Sequence, residues 1–178
     1  GFNCYDPQNN IFLELACDSI LNNHVCYALL EDDKHHLWIA TDNGLYSYDK
    51  VTQTTLHLGK EEGMPSNIIC GLATDSKGSI WCSTYKGFCR INQEDRRILK
   101  FFSENGLTDT EYTPSVFYQE NKQRAYFGGI YGVTSFIPDS VCTPYQLHQP
   151  TSTQLHLNNR TVNARSLTPR RSAKASAL

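Results

Sequence analysis

Six histidines, seven cysteines and two adjacent acids are the residues of this 178-residue chain whose types could do chemistry. Asp32-Asp33 followed by His35-His36 puts carboxylates and imidazoles into one short segment, the raw material of a cation site or an acid–base pair. Spacing argues against both. Neither a His-Glu-x-x-His helix pattern nor a Cys-x-x-Cys pair occurs, and no Glu or Cys sits at metal-ligand spacing from His24, His35, His36 or His57 within one element. The segment Asp32–His36 therefore reads as a solvated turn. There is no Gly-x-Ser-x-Gly elbow, no phosphate-binding loop and no dinucleotide fingerprint. We expect no catalytic residue, no metal and no cofactor. Cys26, Cys70, Cys82 and Cys89 lie in apolar strand patterns, where cysteine serves as a small hydrophobe. Asn159-Arg160-Thr161 is a glycosylation triplet, meaningful only in a eukaryotic secretory setting.

The elements that would position these residues come from an internal repeat. HVCYALLEDDKHHLWIATDNGLYSYD (24–49) aligns without a gap with NIICGLATDSKGSIWCSTYKGFCRIN (67–92), at an offset of 43. Trp38 pairs with Trp81, Thr41 with Thr84, Gly44 with Gly87 and Asp32 with Asp75. The same offset makes GFNCYD, at the start, the tail of an earlier copy. QENKQRAYFGGIYGVTSF (119–136) aligns at 45, with Tyr126 for Trp81, Gly132 for Gly87 and Phe136 for Ile91; the two extra residues are placed in LTDTEYT (107–113). Each copy reads as four short strands, near 67–74, 79–84, 87–92 and 97–103 in the second. Asp42-Asn43-Gly44 and Tyr85-Lys86-Gly87 are hairpin turns, where glycine takes up positive φ without strain. Four antiparallel strands every 40–45 residues is the spacing of a β-propeller blade. The repeated tryptophan is expected to fill the space between sheets.

The fold class is thus all-β, with four-stranded antiparallel propeller blades repeating about every 43 residues. Residues 1–141 hold the end of one blade and three more, at about 7–49, 50–92 and 93–141, which is an incomplete ring. Composition agrees. Apolar residues are 39% and charged residues 19%, a mixture rich in uncharged polar side chains that suits turns and strands. No run approaches the roughly 18 apolar residues of a membrane helix. The opening residues show neither a start methionine nor a signal pattern, so we expect the chain to begin inside a longer protein. Net charge is −2, which gives no general attraction to nucleic acid. All five bases after Asp139, from Arg160 to Lys174, lie where no acid does, so 163–178 reads as a disordered basic tail.

In a propeller the loop entering the innermost strand and the loop joining the middle strands open on one face. Those loops hold His24, Asn67 and Tyr112, and Asp42, Asn43, Tyr85, Lys86 and Tyr131. Aromatics beside amides and a carboxylate are what a sugar ring requires, stacking for its C–H face and hydrogen bonds for its hydroxyls. These eight are the ligand-binding candidates.

At Leu37-Trp38 to Thr41 and Gly44-Leu45, and again at Ile80-Trp81 to Thr84 and Gly87-Phe88, the sequence resembles the two-component regulator propeller repeat, with Ala40 and Ser83 where that repeat usually has glycine. Gly106, Leu107 and Tyr112, then Tyr126, Phe127, Gly128, Gly129, Gly132, Phe136 and Pro138, resemble its final blade. The likeness covers residues 1–141 and is to the periplasmic sensors of hybrid two-component systems from glycan-degrading bacteria. It implies an oligosaccharide ligand, a homodimeric parent, and a periplasmic site on an inner-membrane histidine kinase. The kinase, the phosphorelay and the membrane segment lie outside this chain. It also implies an Ig-like domain after the propeller, and 142–162 reads as a linker and the stub of that domain, with Leu155 and Leu157 alternating before an Asn158-Asn159 turn. ARSLTPRRSAKASAL (164–178) has no strand pattern, which a shifted reading frame or truncation explains. Two other classes stay open, a propeller enzyme resembling the streptogramin lyases and a scaffold for protein partners. The first needs His or Glu side chains converging from several blades, which the sequence lacks.

Overall fold

The computed structural model describes residues 3–15, 17–107, 110–141, 155–157 and 160–162. The chain forms two compact units, Gly1–Cys142 and Thr143–Leu178. The first begins with a two-stranded sheet of β1 (Cys4–Asp6) and β2 (Ile11–Leu13), followed by the one-turn helix α1 (Asp18–Leu21). By the 43-residue offset, β1 and β2 are the third and fourth strands of an earlier copy. Next come two four-stranded antiparallel sheets. One comprises β3 (Cys26–Glu31), β4 (His36–Thr41), β5 (Gly44–Asp49) and β6 (Thr54–Leu58). The other comprises β7 (Ile69–Thr74), β8 (Ile80–Thr84), β9 (Gly87–Ile91) and β10 (Ile98–Phe101). Its strands fall within a few residues of the four read from the pattern. A third sheet has β11 (Tyr112–Gln119), β12 (Ala125–Gly129) and β13 (Gly132–Phe136), and the position of its fourth strand lies outside the described residues. β7 lies beside both β3 and β11, which makes the first strand of each sheet the innermost.

Alternation along these strands gives each sheet two apolar faces, and the faces meet as layers. Ile39, Tyr46 and Tyr48 gather on one side of the first four-stranded sheet with Cys17 and Leu21. Trp38, Ala40, Leu45 and Leu58, on its other side, join Met64, Ile80, Cys82 and Ile91. Trp81, Phe88 and Phe101 then close on Tyr112, Phe127 and Phe136 of the third sheet. Both tryptophans therefore fill inter-sheet space, 4% and 2% exposed. Tyr126, their counterpart in the third sheet, is 39% exposed, since no further sheet covers it among the described residues.

Two recurring devices hold the layers. Asp32, read from sequence as part of a solvated turn, is buried. Its Oδ1 accepts the backbone N–H of Lys34 (2.8 Å) and His36 (2.9 Å), and its Oδ2 accepts the Trp38 indole N–H at 2.9 Å. Asp75 repeats this with Lys77, Ser79 and Trp81. One carboxylate thus closes the turn between the first two strands and fixes the indole, because three donors in one small loop need an acceptor away from water. Asp33, Lys34 and His35 are the exposed members of that segment, with Asp33 paired to Lys122 and His35 to Glu31. The second device is an apolar plug on the connection entering each sheet. Leu21, Met64 and Leu107 stand 43 residues apart and join the three successive clusters.

The third copy corrects one detail of the alignment. Gly44 N–H donates to Asn67 O, and Gly87 N–H donates to Thr110 O, so Thr110 is the counterpart of Asn67, still at 43. Register is then lost between Tyr112 and Phe117, where Ser115 has φ +62°. The two extra residues therefore sit within a bulge of β11 rather than in 107–113. Bulges at the same place in β3 and β7 show where the strand accommodates insertion.

In the second unit β14 (Leu155–Leu157) and β15 (Arg160–Val162) pair antiparallel, on either side of the Asn158-Asn159 turn read from sequence, which lies outside the described residues. The tail 163–178 also lies outside them.

Candidate functional site

The loops expected to share a face do so, through backbone hydrogen bonds. Within each sheet the hairpin joining the middle strands donates to the segment entering the innermost strand. These bonds run from Asp42 N–H to Val25 O, Tyr85 N–H to Ile68 O and Ile130 N–H to Glu111 O. Gly44 and Gly87 make the corresponding bonds forward to the next sheet. Glycine is required at both, since φ is +106° and +90° and a Cβ would lie 2.8 and 2.6 Å from the Leu58 and Phe101 carbonyl oxygens.

On this rim four of the eight candidates gather. Asp42 Oδ1 accepts the Val25 N–H at 3.2 Å and lies 3.2 Å from His24 Nδ1. His24 stacks on Tyr46, which leans on His57 at 4.7 Å, and His57 Nε2 reaches the Asn43 carbonyl oxygen at 2.7 Å. Asn67 closes the group, its Oδ1 accepting the Lys60 N–H at 2.8 Å. Its amide oxygen is thus engaged in holding a loop. Tyr85 and Lys86 stand on the next hairpin, both exposed, and Lys86 N–H is held by Thr84 Oγ1 at 3.0 Å. Tyr131 is 86% exposed at the tip of the third hairpin. Tyr112 is the exception. Only 1% exposed, it meets Phe88 edge-on at 5.2 Å and bonds Thr134 through its hydroxyl, so its ring belongs to the core rather than the rim. The bulge position explains this, because Tyr112 occupies the place of buried Ile69 and not that of Asn67.

Tyr27 and His57 belong to this rim and escaped the sequence reading, and buried Tyr46 packs between His24 and His57. Burial, and then the charge of Asp42, raises the Tyr27 phenol, with smaller contributions from Cys70 and Tyr85. The counterpart of Tyr27 one repeat later is Cys70, so the repeat carried no signal for it. Tyr46 and His57 sit on strands as ordinary alternating residues.

Cys70 and Cys82 are poor nucleophiles. Burial, helped by Glu111, pushes Cys70 up to about 12, and burial also drives Cys82 well above the ordinary thiol value. All six cysteines among the described residues are unpaired. Among the described residues no three His, Cys, Asp or Glu side chains are placed to hold a metal ion.

Stacked four-stranded sheets, innermost first strands and a shared loop rim make these sheets β-propeller blades. Residues 19–43, spanning the entry to the first complete blade and its first hairpin, match the model of the two component regulator propeller family. Histidine kinase P4 of Formosa agariphila is 26% identical over 120 residues, 67% of this chain and 9% of that protein. Among solved structures, the extracellular domain assigned to the hybrid two component system BT3049 of B. thetaiotaomicron superposes with a TM-score of 0.68 at 19% identity, over 90% of this chain and 23% of that one. The extracellular domain assigned to the hybrid system BT4673 of the same organism gives 0.61 at 20%, over 79% and 21%. This chain thus spans under a tenth of the kinase and under a quarter of those domains. No helix among the described residues is long and apolar enough to cross a membrane.

Proposed function

We propose that this chain is part of the ligand-sensing propeller of a hybrid two-component sensor, placed on the outer, periplasmic side of the inner membrane, and that its ligand is an oligosaccharide. The observation that carries the reading is the 120-residue match to a histidine kinase in a chain that forms propeller blades. The rim supports the ligand class. Tyr85 and Tyr131 present exposed aromatic faces, and His24, Asp42, Asn43 and Lys86 supply donors and acceptors on the same side.

Signalling then works by population shift. A glycan that binds one arrangement of a homodimeric sensor more tightly biases it, and a membrane segment carries the bias to the kinase. The ligand can move that equilibrium only by its difference in affinity for the two states. The test is to read the coding DNA on both sides of this segment in all frames. A membrane helix and histidine kinase downstream are expected; an unrelated gene immediately after it would remove the effector and overturn the reading.

A further inference from the structure

Between the two four-stranded sheets, away from the rim, lies a crevice of about 220 Å³. Leu56, Leu58 and Ile91 form an apolar floor with the Trp38 indole, while Ser47, His36 and Asp49 line one wall and Arg96 the opposite lip. The same place between the second and third sheets is full. There Arg90 stands for Ser47, Phe101 for Leu58 and Phe136 for Ile91. Phe136 lies 5.0 Å from the Trp81 ring and Phe101 stacks on it at 5.6 Å. The Arg90 guanidinium lies over the same indole at 5.6 Å, 3.3 Å from Asp75 Oδ2 and 2.9 Å from Ser79 Oγ. The protein thus shows what chemistry this repeat position accepts, a flat cation against an indole beside carboxylate.

We propose that the crevice between the two four-stranded sheets binds a small ligand ending in a guanidinium group, which lies against the Trp38 indole as Arg90 lies against Trp81 one repeat later, with Asp49 as its carboxylate. Its electrostatics fit. Asp49 is 27% exposed on the wall, its Oδ2 3.9 Å from His36 Nε2, and the other imidazole nitrogen is 3.2 Å from Asp32 Oδ2. Asp32 is therefore engaged by His36. Asp49 is held in its turn by the Val51 and Thr52 N–H groups on Oδ1 and the Thr52 hydroxyl on Oδ2 (2.7 Å), and it remains the crevice's partly exposed carboxylate. Asp75 accepts as many donors and still pairs with Arg90. No hydrogen bond occupies the Ser47 hydroxyl among the described residues. Arg96, exposed and without a carboxylate partner among them, suits a ligand carrying an anion at its far end. Free arginine has both ends.

The repeat also supplies the test variants. Ser47→Arg installs the residue of the next copy and fills the crevice from within. Asp49→Asn installs the residue at position 92, whose Oδ1 still accepts a turn N–H (Glu94, 2.9 Å) as Asp49 does from Val51 (2.8 Å). The whole 178-residue chain at pH 8 and low salt is titrated with arginine while the Trp38 indole resonance is followed, with citrulline as the neutral isostere. Arginine should give saturable shifts, citrulline should bind at least roughly tenfold more weakly, and both variants should abolish or strongly weaken the arginine response. Circular dichroism checks that each variant is folded, and either folded variant alone decides. No saturable shift, an equal response to citrulline, or undiminished arginine binding by a folded variant would overturn the proposal.

Discussion

A buried carboxylate bonded to an indole is the smallest unit from which this protein is built. Asp75 is 1% exposed and accepts from two backbone N–H groups and Trp81 Nε1, with Arg90 as its charge partner. Asp75→Ala leaves those donors and a guanidinium unmet, and should cost about 3 kcal/mol in urea unfolding. Asp75→Asn, which keeps acceptor oxygens, should cost less. Asp32 has a pH signature as well. Burial raises its pKa, but the Trp38, His36 and Lys34 donors outweigh burial and hold it below 3.8. A depressed folded-state value means stability that is complete above about pH 4 and lost as pH falls through the folded pKa. Asp32→Asn should flatten that acid limb of a stability–pH profile. The repetition of this aspartate was visible in the sequence; its bond to a tryptophan six residues on was not, since that depends on how the turn folds back.

Elements were legible where alternation and turn chemistry coincide, as in β7 to β10 with the Tyr85-Lys86-Gly87 hairpin. The plug was not. Leu21, Met64 and Leu107 keep the 43-residue spacing, but they lie between strands, where neither the strand alternation nor the turn residues mark them. Met64 is 2% exposed, so Met64→Ala should cost about 2–5 kcal/mol, measured by denaturant unfolding. Glycines separate backbone strain from crowding. Gly106→Ala meets open space at φ +89° and should cost about 1 kcal/mol, whereas Gly87→Ala drives a Cβ onto the Phe101 carbonyl and should cost clearly more. Tyr112 shows the limit of counting along a chain. A two-residue bulge after it, rather than before, moves it from rim to core, and only the pairing of β11 with β12 reveals that.

At the scale of the molecule, three layers of apolar side chains bind the blades into one unit, and Cys17, Cys70, Cys82 and Cys89 lie inside those layers. Cys70, Cys82 and Cys89 should therefore stay unmodified by a thiol reagent in the native protein and react only on unfolding, which mass spectrometry of the labelled peptides will show. In the sensor proposed above, the ligand meets the protein at the rim. The direct test is calorimetry on the complete outer region containing these residues, titrated with a panel of defined gluco-, manno-, xylo- and galacturono-oligosaccharides. Saturable heat is expected for one of them, reduced at least roughly tenfold by Tyr85→Ala or Tyr131→Ala, with little or no heat from the 178-residue chain alone. A sugar bound with undiminished affinity by both rim variants, or tightly by the isolated chain, would contradict this expectation.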